Sequence, residues 1–354
     1  MTVDLGAAAE NWRAIGVLAK PAEAAAVVKA DGYGCGMIPV ARALKKAGAK
    51  TFFVATAAEG EELRREFPGD AIYVLNGFTP GEAARLAASD LRPVLNCYDE
   101  FAEWRALASR PPAAVQIDTG MNRTGFSHAD TEKLIAEAQP FGGVDVALIV
   151  SHLACADDAQ NKKNAEQLAR FKAVLARLPK RPATLAASAG VLLGRDYCFD
   201  MVRPGIGLYG GNPRNVAPNP MRMVVALHAP IVAVRRVDSG ETVGYGATHS
   251  FQKPALLATI AIGYADGLMR SLSNKGEAAI GGARCPIVGR VSMDLVVVDA
   301  SDAKEADVKR GAMAEFLGPT IGIDDAARAA GTLPYEYLTR IGARVERVYI
   351  GGAS

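Results

Sequence analysis

A chain of 354 residues is long enough for one domain of barrel size and a second, smaller domain. Half of its residues are hydrophobic and 22% are charged, which is typical of an ordinary globular protein and not of a disordered one. The 40 lysine and arginine residues nearly balance the 38 acidic ones, so the charge excludes a strongly basic nucleic-acid or anionic-membrane surface. A small ligand, recognised locally, is the expected partner.

Cysteine content and the first residues bear on the compartment and on metal binding. The five cysteines are odd in number and contain no CxxC pair, which favours reduced thiols over a disulfide framework or a zinc site. They are Cys35, Cys97, Cys155, Cys198 and Cys285. The first residues, MTVDLGAAAENW, lack the pattern of a secretory signal, and no apolar stretch reaches transmembrane length. We therefore expect a cytoplasmic protein without a metal site.

Short apolar runs alternate with helical patterns over the first two thirds of the chain. Eight runs of strand length occur, at 24–30, 51–56, 72–77, 92–97, 113–118, 146–151, 184–188 and 201–208. Helical periodicity fills most of the intervals, for example at 39–49, 57–67 and 164–178. This alternation predicts a (β/α)8 TIM-type barrel over residues 1–220 and not an open doubly wound sheet.

The character of the sequence changes near residue 220. The segment 211–220, GNPRNVAPNP, is rich in proline and asparagine and predicts a connector between domains. Beyond it, short β-rich segments are separated by turns, with one helical stretch at 324–331. We predict a C-terminal, mostly antiparallel β domain over residues 221–354. The expected fold class is thus an α/β barrel plus an all-β domain.

Lys29 stands where the first predicted strand opens into a loop. The run 24–28 is small or β-branched, and Asp31-Gly32 ends it abruptly. Partial desolvation at such a position lowers the pKa of a lysine, and the free amine can then attack a carbonyl, as Schiff-base chemistry requires. The alternative is a lysine that merely extends from a strand end into water.

Other strand ends of the predicted barrel carry polar residues or glycine, at the end where barrel enzymes place their active sites. These residues are Tyr33, Asp118, Arg123, His152, Ser188, Arg203 and Gly205. Taken singly, each has a structural explanation, such as a satisfied buried histidine, a helix cap or a glycine required for packing. Their joint occurrence favours an active site.

The ends of the seventh and eighth strands have the composition of a phosphate site. SAG at 188–190 and RPGIGLYG at 203–210 offer a hydroxyl and glycine N–H groups where barrels commonly bind phosphate. A reactive amine facing a phosphate cradle predicts an aldehyde cofactor that bears a phosphate. That cofactor is pyridoxal 5′-phosphate.

Nine segments, in order along the chain, carry a resemblance to a known family. They are AVVKADGYGCG (26–36), IDTGMNRTGF (117–126), SHLACADD (151–158), SAG (188–190), MVRPGIGLYG (201–210), VGYGATHS (243–250), AIGYADGLMR (261–270), VGRVSMDLVVVD (288–299) and PYEYLTRIGARVERVY (334–349). With them the chain resembles the alanine racemases over nearly its whole length. The resemblance implies a pyridoxal-phosphate-dependent racemase with a (β/α)8 barrel and a β domain, acting as a homodimer with shared active sites.

The resemblance also implies roles for individual residues. Lys29 matches the catalytic lysine that carries the cofactor, and Tyr245 matches the second base, which serves the active site of the partner subunit. The implied cofactor contacts are Tyr33, Ser188, Tyr335, Gly205 and Ile206 at the phosphate, Arg203 at the pyridine nitrogen and His152 beside it. Arg123 and Met293 match contacts to the substrate carboxylate, Met293 from the partner. The implied access channel contains Asp157, Tyr264, Arg270 and Arg290.

The implied reaction is the two-base interconversion of L-alanine and D-alanine, which supplies D-alanine for peptidoglycan. A racemase for serine or for several amino acids is the nearest alternative, because one methylene or hydroxyl changes rates only on the order of ten- to hundredfold. A non-catalytic pyridoxal-phosphate-binding barrel protein and a barrel decarboxylase are further alternatives. The first would end after the barrel, and motifs of the second are missing from the sequence.

Gln116 departs from the pattern of the family. Many alanine racemases carry a carbamylated lysine there, whose charge orients the arginine at the substrate site, and a glutamine cannot form a carbamate. Gln116 and Asp118 share strand parity, so both side chains point to one face. We expect the amide oxygen of Gln116 to accept a hydrogen bond from Arg123. The alternative is a glutamine that is satisfied elsewhere and makes no contact with Arg123.

Overall fold

The computed structural model describes residues 1–214 and 216–352. Within these ranges the strands are β1 (Thr2–Asp4), β2 (Glu23–Ala24), β3 (Ala26–Val27), β4 (Thr51–Val54), β5 (Ala71–Val74), β6 (Arg92–Leu95), β7 (Ala113–Gln116), β8 (Val146–Val150), β9 (Ala183–Ala187), β10 (Met201–Arg203), β11 (Val225–Val237), β12 (Thr242–Val243), β13 (His249–Ser250), β14 (Ala255–Ile260), β15 (Glu277–Ile280), β16 (Ala283–Pro286), β17 (Val296–Asp299), β18 (Met313–Leu317) and β19 (Val348–Ile350). The α-helices are α1 (Leu5–Ala19), α2 (Lys29–Tyr33), α3 (Met37–Ala47), α4 (Ala57–Glu66), α5 (Ala83–Ala88), α6 (Tyr98–Ala106), α7 (His128–Ala136), α8 (Lys162–Leu175), α9 (Ser188–Val191), α10 (Ile323–Ala330) and α11 (Pro334–Thr339).

The first sheet is parallel and closes on itself in the order β2-β10-β9-β8-β7-β6-β5-β4-β3. β2 and β3 are two halves of one strand, separated by Ala25, whose N–H donates to the carbonyl oxygen of Val202 at 2.9 Å. One half pairs with β10 and the other with β4, so the sheet is a closed barrel of eight strands. Each strand overlaps one of the predicted apolar runs, and the predicted barrel is confirmed.

Burial on both faces explains why the barrel strands have continuous apolar sequences. Every residue of β4 and β7 is buried, because one face of the sheet meets the barrel interior and the other meets the surrounding helices. The helices bury a single face, which in α3 consists of Met37, Val40, Ala41 and Leu44. Since all barrel strands are parallel, their carboxyl ends open on the same side.

The second sheet is organised around β11, its longest strand. β11 pairs antiparallel with β1, β14 and β18, and β17 pairs antiparallel with β14. β15 joins β16 to β18, also by antiparallel pairs. These ladders confirm the predicted, mostly antiparallel C-terminal β structure, and α10 confirms the helix predicted at 324–331. α11 was not predicted.

The first strand of the chain belongs to this second sheet and not to the barrel. β1 pairs antiparallel with β11 and parallel with β19, so it lies between segments more than 200 residues away in sequence. Local periodicity did not predict this strand, because three residues are too few to show a pattern and both of its partners are distant. α1 then leads from this sheet into the barrel.

No helix in the described residues combines the length and apolarity that a membrane crossing requires. The same residues contain no cluster of three or more histidine, cysteine, aspartate or glutamate side chains arranged to hold a metal ion.

Candidate active site

A cavity of about 710 Å³ lies at the carboxyl ends of the barrel strands. Ten of the residues singled out from the sequence line it, namely Lys29, Tyr33, Gln116, Arg123, His152, Ser188, Arg203, Gly205, Ile206 and Tyr335. Nine of these come from the barrel part of the chain, and Tyr335 lies on α11 of the C-terminal part. The barrel therefore brings together residues that are spread over 300 positions of the sequence.

Lys29 begins a left-handed turn of the backbone. Ala30, Asp31, Gly32 and Tyr33 all have φ between 51° and 58°, and such a conformation costs about 1–2 kcal/mol for each residue other than glycine. Two side chains hold this turn. Glu59 accepts the N–H of Ala30 at 2.7 Å, and Asp31 accepts the N–H of Met37 at 2.8 Å.

Burial lowers the pKa of Lys29, and the positive charge of Arg123 lowers it further. The carboxylate of Glu59 opposes both effects. Because desolvation has the largest effect, the amine of Lys29 loses its proton more readily than an exposed lysine does. This is the state predicted for a lysine at the end of a buried strand.

Arg203 is a buried cation beside a neutral histidine. Its guanidinium donates to the Oγ1 atom of Thr184 at 2.6 Å and to the carbonyl oxygen of Ser151 at 2.7 Å. Burial lowers the pKa of Arg203 to about 10, so the guanidinium remains protonated at neutral pH. Nδ1 of His152 lies 3.2 Å from Nη2 of Arg203. Since a guanidinium only donates, Nδ1 is the acceptor.

His152 is neutral over the physiological pH range. Burial, followed by the charges of Arg203, Arg123 and Lys29, lowers its pKa to about 3. With Nδ1 accepting from Arg203, the single ring proton resides on Nε2. The charge of this pair is therefore carried by Arg203 alone.

Ser188 organises a cradle of donors at the ends of β9 and β10. Its Oγ accepts the N–H of Gly205 at 2.9 Å and the N–H of Gly207 at 3.2 Å. Both acceptor positions of the hydroxyl are then used, and its proton remains free to donate into the cavity. A Cβ atom on Gly205 would collide with the Tyr33 hydroxyl, so only glycine allows this approach.

Two tyrosines complete the cradle as protonated donors. Tyr33 stacks on Tyr209 with 4.5 Å between ring centroids, and burial raises the pKa of the Tyr33 hydroxyl. Burial and the charge of Asp157 raise the pKa of Tyr335 to about 12. The hydroxyl groups of Ser188, Tyr33 and Tyr335 can donate to the oxygens of a phosphate. The residues present therefore fit a phosphate-bearing cofactor.

Arg123 is carried by a loop that Asp118 holds in place. The carboxylate of Asp118 accepts the backbone N–H groups of Gly120, Met121 and Asn122, each at 2.8 Å. Phe126 closes the loop, because its N–H donates to the carbonyl oxygen of Gln116 at 2.8 Å.

The predicted hydrogen bond from Arg123 to Gln116 is not present in the described part of the chain. Nε2 of Gln116 instead donates to the carbonyl oxygen and the hydroxyl of Thr124, at 3.0 and 2.8 Å. A carbonyl oxygen only accepts, which fixes the amide with its nitrogen towards the loop. The alternative weighed from the sequence, a glutamine satisfied elsewhere, is correct. Gln116 supports the residue next to Arg123.

Some residues of the site were missed in the sequence. Asn76, Thr124, Glu336 and Thr339 also line the cavity. Glu59 was missed although Thr56 and Glu59 form a capping box at the start of α4, a motif that TAAEGEEL displays. The motif predicts the cap but gives no sign of the contact to Ala30, which is distant in sequence.

Among the remaining predicted residues, Asp157 is near the cavity, since its charge acts on Tyr335, whereas the other five do not line the cavity of the described chain. Tyr245 and Met293 are 73% and 52% exposed, and Tyr264 is 40% exposed. The loops of Tyr264 and Met293 are adjacent, since the N–H of Ala265 donates to the Met293 carbonyl at 3.0 Å. Arg290 is close to the segment of Tyr245, because a Cβ on Gly246 would lie 3.2 Å from Arg290 Nη1. Arg270 is exposed, in a short 3-10 helix.

Comparison with known proteins agrees with this arrangement. The model of the alanine racemase N-terminal domain matches residues 3–213, and that of the alanine racemase C-terminal domain matches residues 224–349. The chain belongs to the alanine racemase family. The predicted resemblance is thereby confirmed.

Similarity to individual alanine racemases extends over full lengths. An alanine racemase of Methylobacterium nodulans is 47% identical over 100% of this chain and 96% of its own length. A catabolic alanine racemase of Agrobacterium fabrum is 44% identical over 99% of this chain and 92% of its own. The crystal structure of Bartonella henselae alanine racemase, with covalently bound pyridoxal phosphate, has a TM-score of 0.95 and 40% identity, covering 99% of this chain and 98% of that one.

Proposed function

We propose that this protein interconverts L-alanine and D-alanine with pyridoxal 5′-phosphate as its cofactor. The observation that carries the proposal is the joint placement, in one cavity, of a desolvated lysine, a buried guanidinium and a cradle of phosphate donors. Membership of the alanine racemase family supports both the racemase activity and the cofactor.

Several residues of the cavity would hold the cofactor. Lys29 would carry it covalently. Ser188, Tyr33, Tyr335 and the backbone at 205–206 would bind its phosphate, and Arg203 with His152 would face its ring. When bound, pyridoxal phosphate delocalises the negative charge that remains when a proton leaves the α-carbon of an amino acid.

Two bases on opposite faces of the α-carbon would invert it. The amine of Lys29, with its lowered pKa, accepts or returns a proton on one face. We assign the other face to Tyr245 of a second subunit. The side chain of Tyr245 is 73% exposed in the single chain and can therefore enter another subunit.

Arg203 would restrain the reaction to racemisation. The buried guanidinium stays protonated and has only donors, so it does not hand a proton to a ring nitrogen. The ring of a bound cofactor would therefore take up less negative charge opposite Arg203 than opposite a carboxylic acid. A proton returned at the α-carbon gives racemisation, whereas one placed elsewhere leads to transamination.

Substrate recognition is assigned to two subunits as well. Arg123 would bind the substrate carboxylate from the barrel side, and Met293 would approach from the partner. Asp157, Tyr264, Arg270 and Arg290 would form the access channel. The exposure of Tyr264 and Met293 supports this assignment, because large apolar side chains in a shared interface become buried only on assembly.

The proposal extends to organisation and cellular role. Residues 1–220, apart from β1, would form the cofactor-binding barrel domain, and residues 221–354 the β domain that serves the partner subunit of a homodimer. The location would be the cytoplasm, where the enzyme would supply D-alanine for peptidoglycan. Balanced charge and a cavity of about 710 Å³ suit a small amino acid and not a nucleic acid or a membrane surface.

A single assay tests the function and its alternatives. Purified protein loaded with pyridoxal phosphate is incubated with L-alanine, L-serine or L-lysine, and the enantiomers are separated by chiral chromatography. We expect D-alanine to form fastest, and Lys29→Ala to abolish its formation. A faster reaction with serine or lysine would replace the alanine assignment, and no reaction with any substrate would favour a non-catalytic binding protein.

A further inference from the structure

A buried polar network lies behind the cavity, between α8 and the ends of β7 and β8. Its centre is Gln167 of α8, which is fully buried. Nε2 of Gln167 donates to the carbonyl oxygen of His152 at 2.9 Å and to the hydroxyl of Thr119 at 3.2 Å. Oε1 accepts the N–H of Ala154 at 2.8 Å. Both N–H bonds of the Gln167 amide are therefore used, and its oxygen accepts one backbone N–H.

The network continues to the cation of the site. The hydroxyl groups of Thr119 and Ser151 lie 2.9 Å apart, and the carbonyl oxygen of Ser151 accepts from Arg203 at 2.7 Å. Thr119, Ser151 and Arg203 are all buried. Gln167 is thus connected to Arg203 both through Ser151 and through His152, whose ring nitrogen contacts the same guanidinium.

The other end of the network reaches the loop that carries Arg123. Thr119 directly follows Asp118, the carboxylate that holds this loop. α8 contacts Thr119 twice, because Arg170 donates to the Thr119 carbonyl at 3.3 Å while Gln167 contacts its hydroxyl. One side chain therefore links the Arg203–His152 pair to the support of Arg123.

The barrel strands do not need the hydrogen bonds of Gln167 to hold them together. The strand ends are already joined by backbone bonds, such as that from Ser151 N–H to the Thr184 carbonyl at 2.9 Å. Nitrogen must face the His152 carbonyl and oxygen the Ala154 N–H, so the amide has one orientation only. An apolar side chain of equal volume would leave both backbone groups unpaired in a buried place.

We propose that Gln167 is a positioning residue, which fixes the Arg203–His152 pair and the Arg123 loop relative to each other. The inference rests on the proposed function, since that function assigns the pair to the cofactor ring and Arg123 to the substrate carboxylate. A cofactor ring held by the Arg203–His152 pair would then lie at a fixed distance from Arg123. A fixed distance is needed to orient an amino acid that contacts both.

The test uses the dimeric holoenzyme and three variants. For Gln167→Leu we expect a rise of about five- to tenfold in KM for alanine, a lower kcat and an altered absorption spectrum of the bound cofactor. For Thr119→Val we expect the rise in KM with a smaller change of the cofactor spectrum than in Gln167→Leu, because the contact to Ser151 is lost while the bond from Gln167 to the His152 carbonyl remains. Gln167→Glu is a conservative substitution that should restore the hydrogen bond to the His152 carbonyl only when the new carboxyl group is protonated.

The Gln167→Glu variant separates positioning from simple stability. When protonated, the introduced carboxyl group would donate to the His152 carbonyl, whereas its ionised form would repel that oxygen. Burial favours the protonated form. We therefore expect kcat/KM and the cofactor spectrum of Gln167→Glu to approach those of the unaltered protein at low pH and to diverge from them as the pH rises. A purely structural role would make the free energy of unfolding depend on pH but would leave kcat/KM per folded molecule and the cofactor spectrum unchanged.

Phe171→Leu, one turn further along α8, is the matched control. Phe171 is fully buried and packs on Phe199, away from the network, so this change lowers stability and leaves KM and the spectrum unaltered.

Unaltered KM and spectra in folded Gln167→Leu and Thr119→Val would overturn the proposal. If Gln167→Leu does not fold, Thr119→Val and the pH profile of Gln167→Glu decide. Absence of racemisation in the unaltered protein would reject the function, while the spectra would still test the positioning of Arg203 and His152.

Discussion

The carboxylate of Glu59 accepts the backbone N–H of Ala30 at 2.7 Å, so the first turn of α4 holds the residue that follows Lys29. Its second oxygen accepts the N–H of Ala55 at 2.7 Å. One side chain therefore caps a helix, supports a strained left-handed turn and places negative charge near the reactive amine. Few substitutions elsewhere would affect all three together.

The substitution Glu59→Gln tests separately the hydrogen bonds of Glu59 and the effect of its charge on Lys29. An amide offers one acceptor oxygen, so one of the two N–H groups loses its partner, and we expect the free energy of unfolding to fall by about 1–2 kcal/mol. The charge of Glu59 raises the pKa of Lys29, so its removal lowers that pKa further and moves the acidic limb of the kcat/KM–pH profile to lower pH. Urea titration and a pH–rate profile measure the two effects. Glu62→Gln, on an exposed position of the same helix, controls for lost charge, and an equal shift there would contradict the account.

Mixing two inactive variants tests the shared active site. We expect Lys29→Ala and Tyr245→Phe each to be inactive, and their mixture to recover about one quarter of full activity after subunit exchange, because half of the dimers are mixed and each holds one intact pair. Alanine racemisation and size-exclusion chromatography provide the measurement. Two preparations of Lys29→Ala mixed together serve as the control. No recovery, despite demonstrated exchange, would mean that both bases come from one chain.

Arg203→Glu tests the restraint on side reactions. A protonated carboxyl opposite the ring can donate its proton, so we expect more transamination, measured as pyruvate released from alanine, and less racemisation. Arg203→Met removes the cation and has no proton to donate, so it is the control. Pyruvate formation no higher than in the methionine variant would make our account of Arg203 wrong.

Gln116 acts through Thr124, and substitutions can reveal this. We expect Gln116→Ala to raise KM for alanine a few-fold with little change in cofactor affinity, because the loop of Arg123 loses two hydrogen bonds. We also expect activity to be indifferent to bicarbonate.

Gln116→Glu distinguishes the two possible routes from residue 116 to Arg123. A carboxylate would strengthen a direct contact with Arg123 but would repel the Thr124 carbonyl. We expect KM to rise in this variant too. A lowered KM in Gln116→Glu, or stimulation of the unaltered protein by bicarbonate, would favour the direct contact.

His152 should make the protein less stable in acid. Its pKa falls from 6.5 to about 3 on folding, so between these values the unfolded chain binds a proton that the folded chain does not. Stability therefore decreases as the pH falls below 6.5, by up to about 1.4 kcal/mol per pH unit from this group. In His152→Gln this contribution disappears. Urea titrations at pH 7 and pH 5 should show the smaller loss in the variant, and equal losses would contradict the lowered pKa.

The barrel was predictable because each of its strands is a continuous apolar run bounded by a helical pattern. The carboxyl ends of parallel strands share one side, so Lys29, His152, Ser188 and Arg203 could be placed in one site from their position after a strand. Tyr33 was placed there by the same reasoning, whereas the position of Tyr335 followed from the family resemblance and not from periodicity.

Contacts between distant segments were not predictable by the same means. The sequence showed that Gln116 and Asp118 share a face, but the competition between Arg123 and Thr124 for the amide depends on the path of the loop. The second contact of Glu59 depends on the distance between two strand ends. The pairing of β1 depends on segments near residues 225 and 348.

The position of β1 has a consequence for the order in which the molecule is completed during synthesis. Thr2 and Val3 leave the ribosome among the first residues, yet their antiparallel partners are Ala226 and Val225, and their other neighbour is β19. The strands of the barrel pair only with one another, and none of them lies beyond residue 203. A chain stopped at residue 220 would leave both edges of β1 unpaired, and such edges readily join other strands. The beginning of the chain is therefore among the last parts to reach its final place.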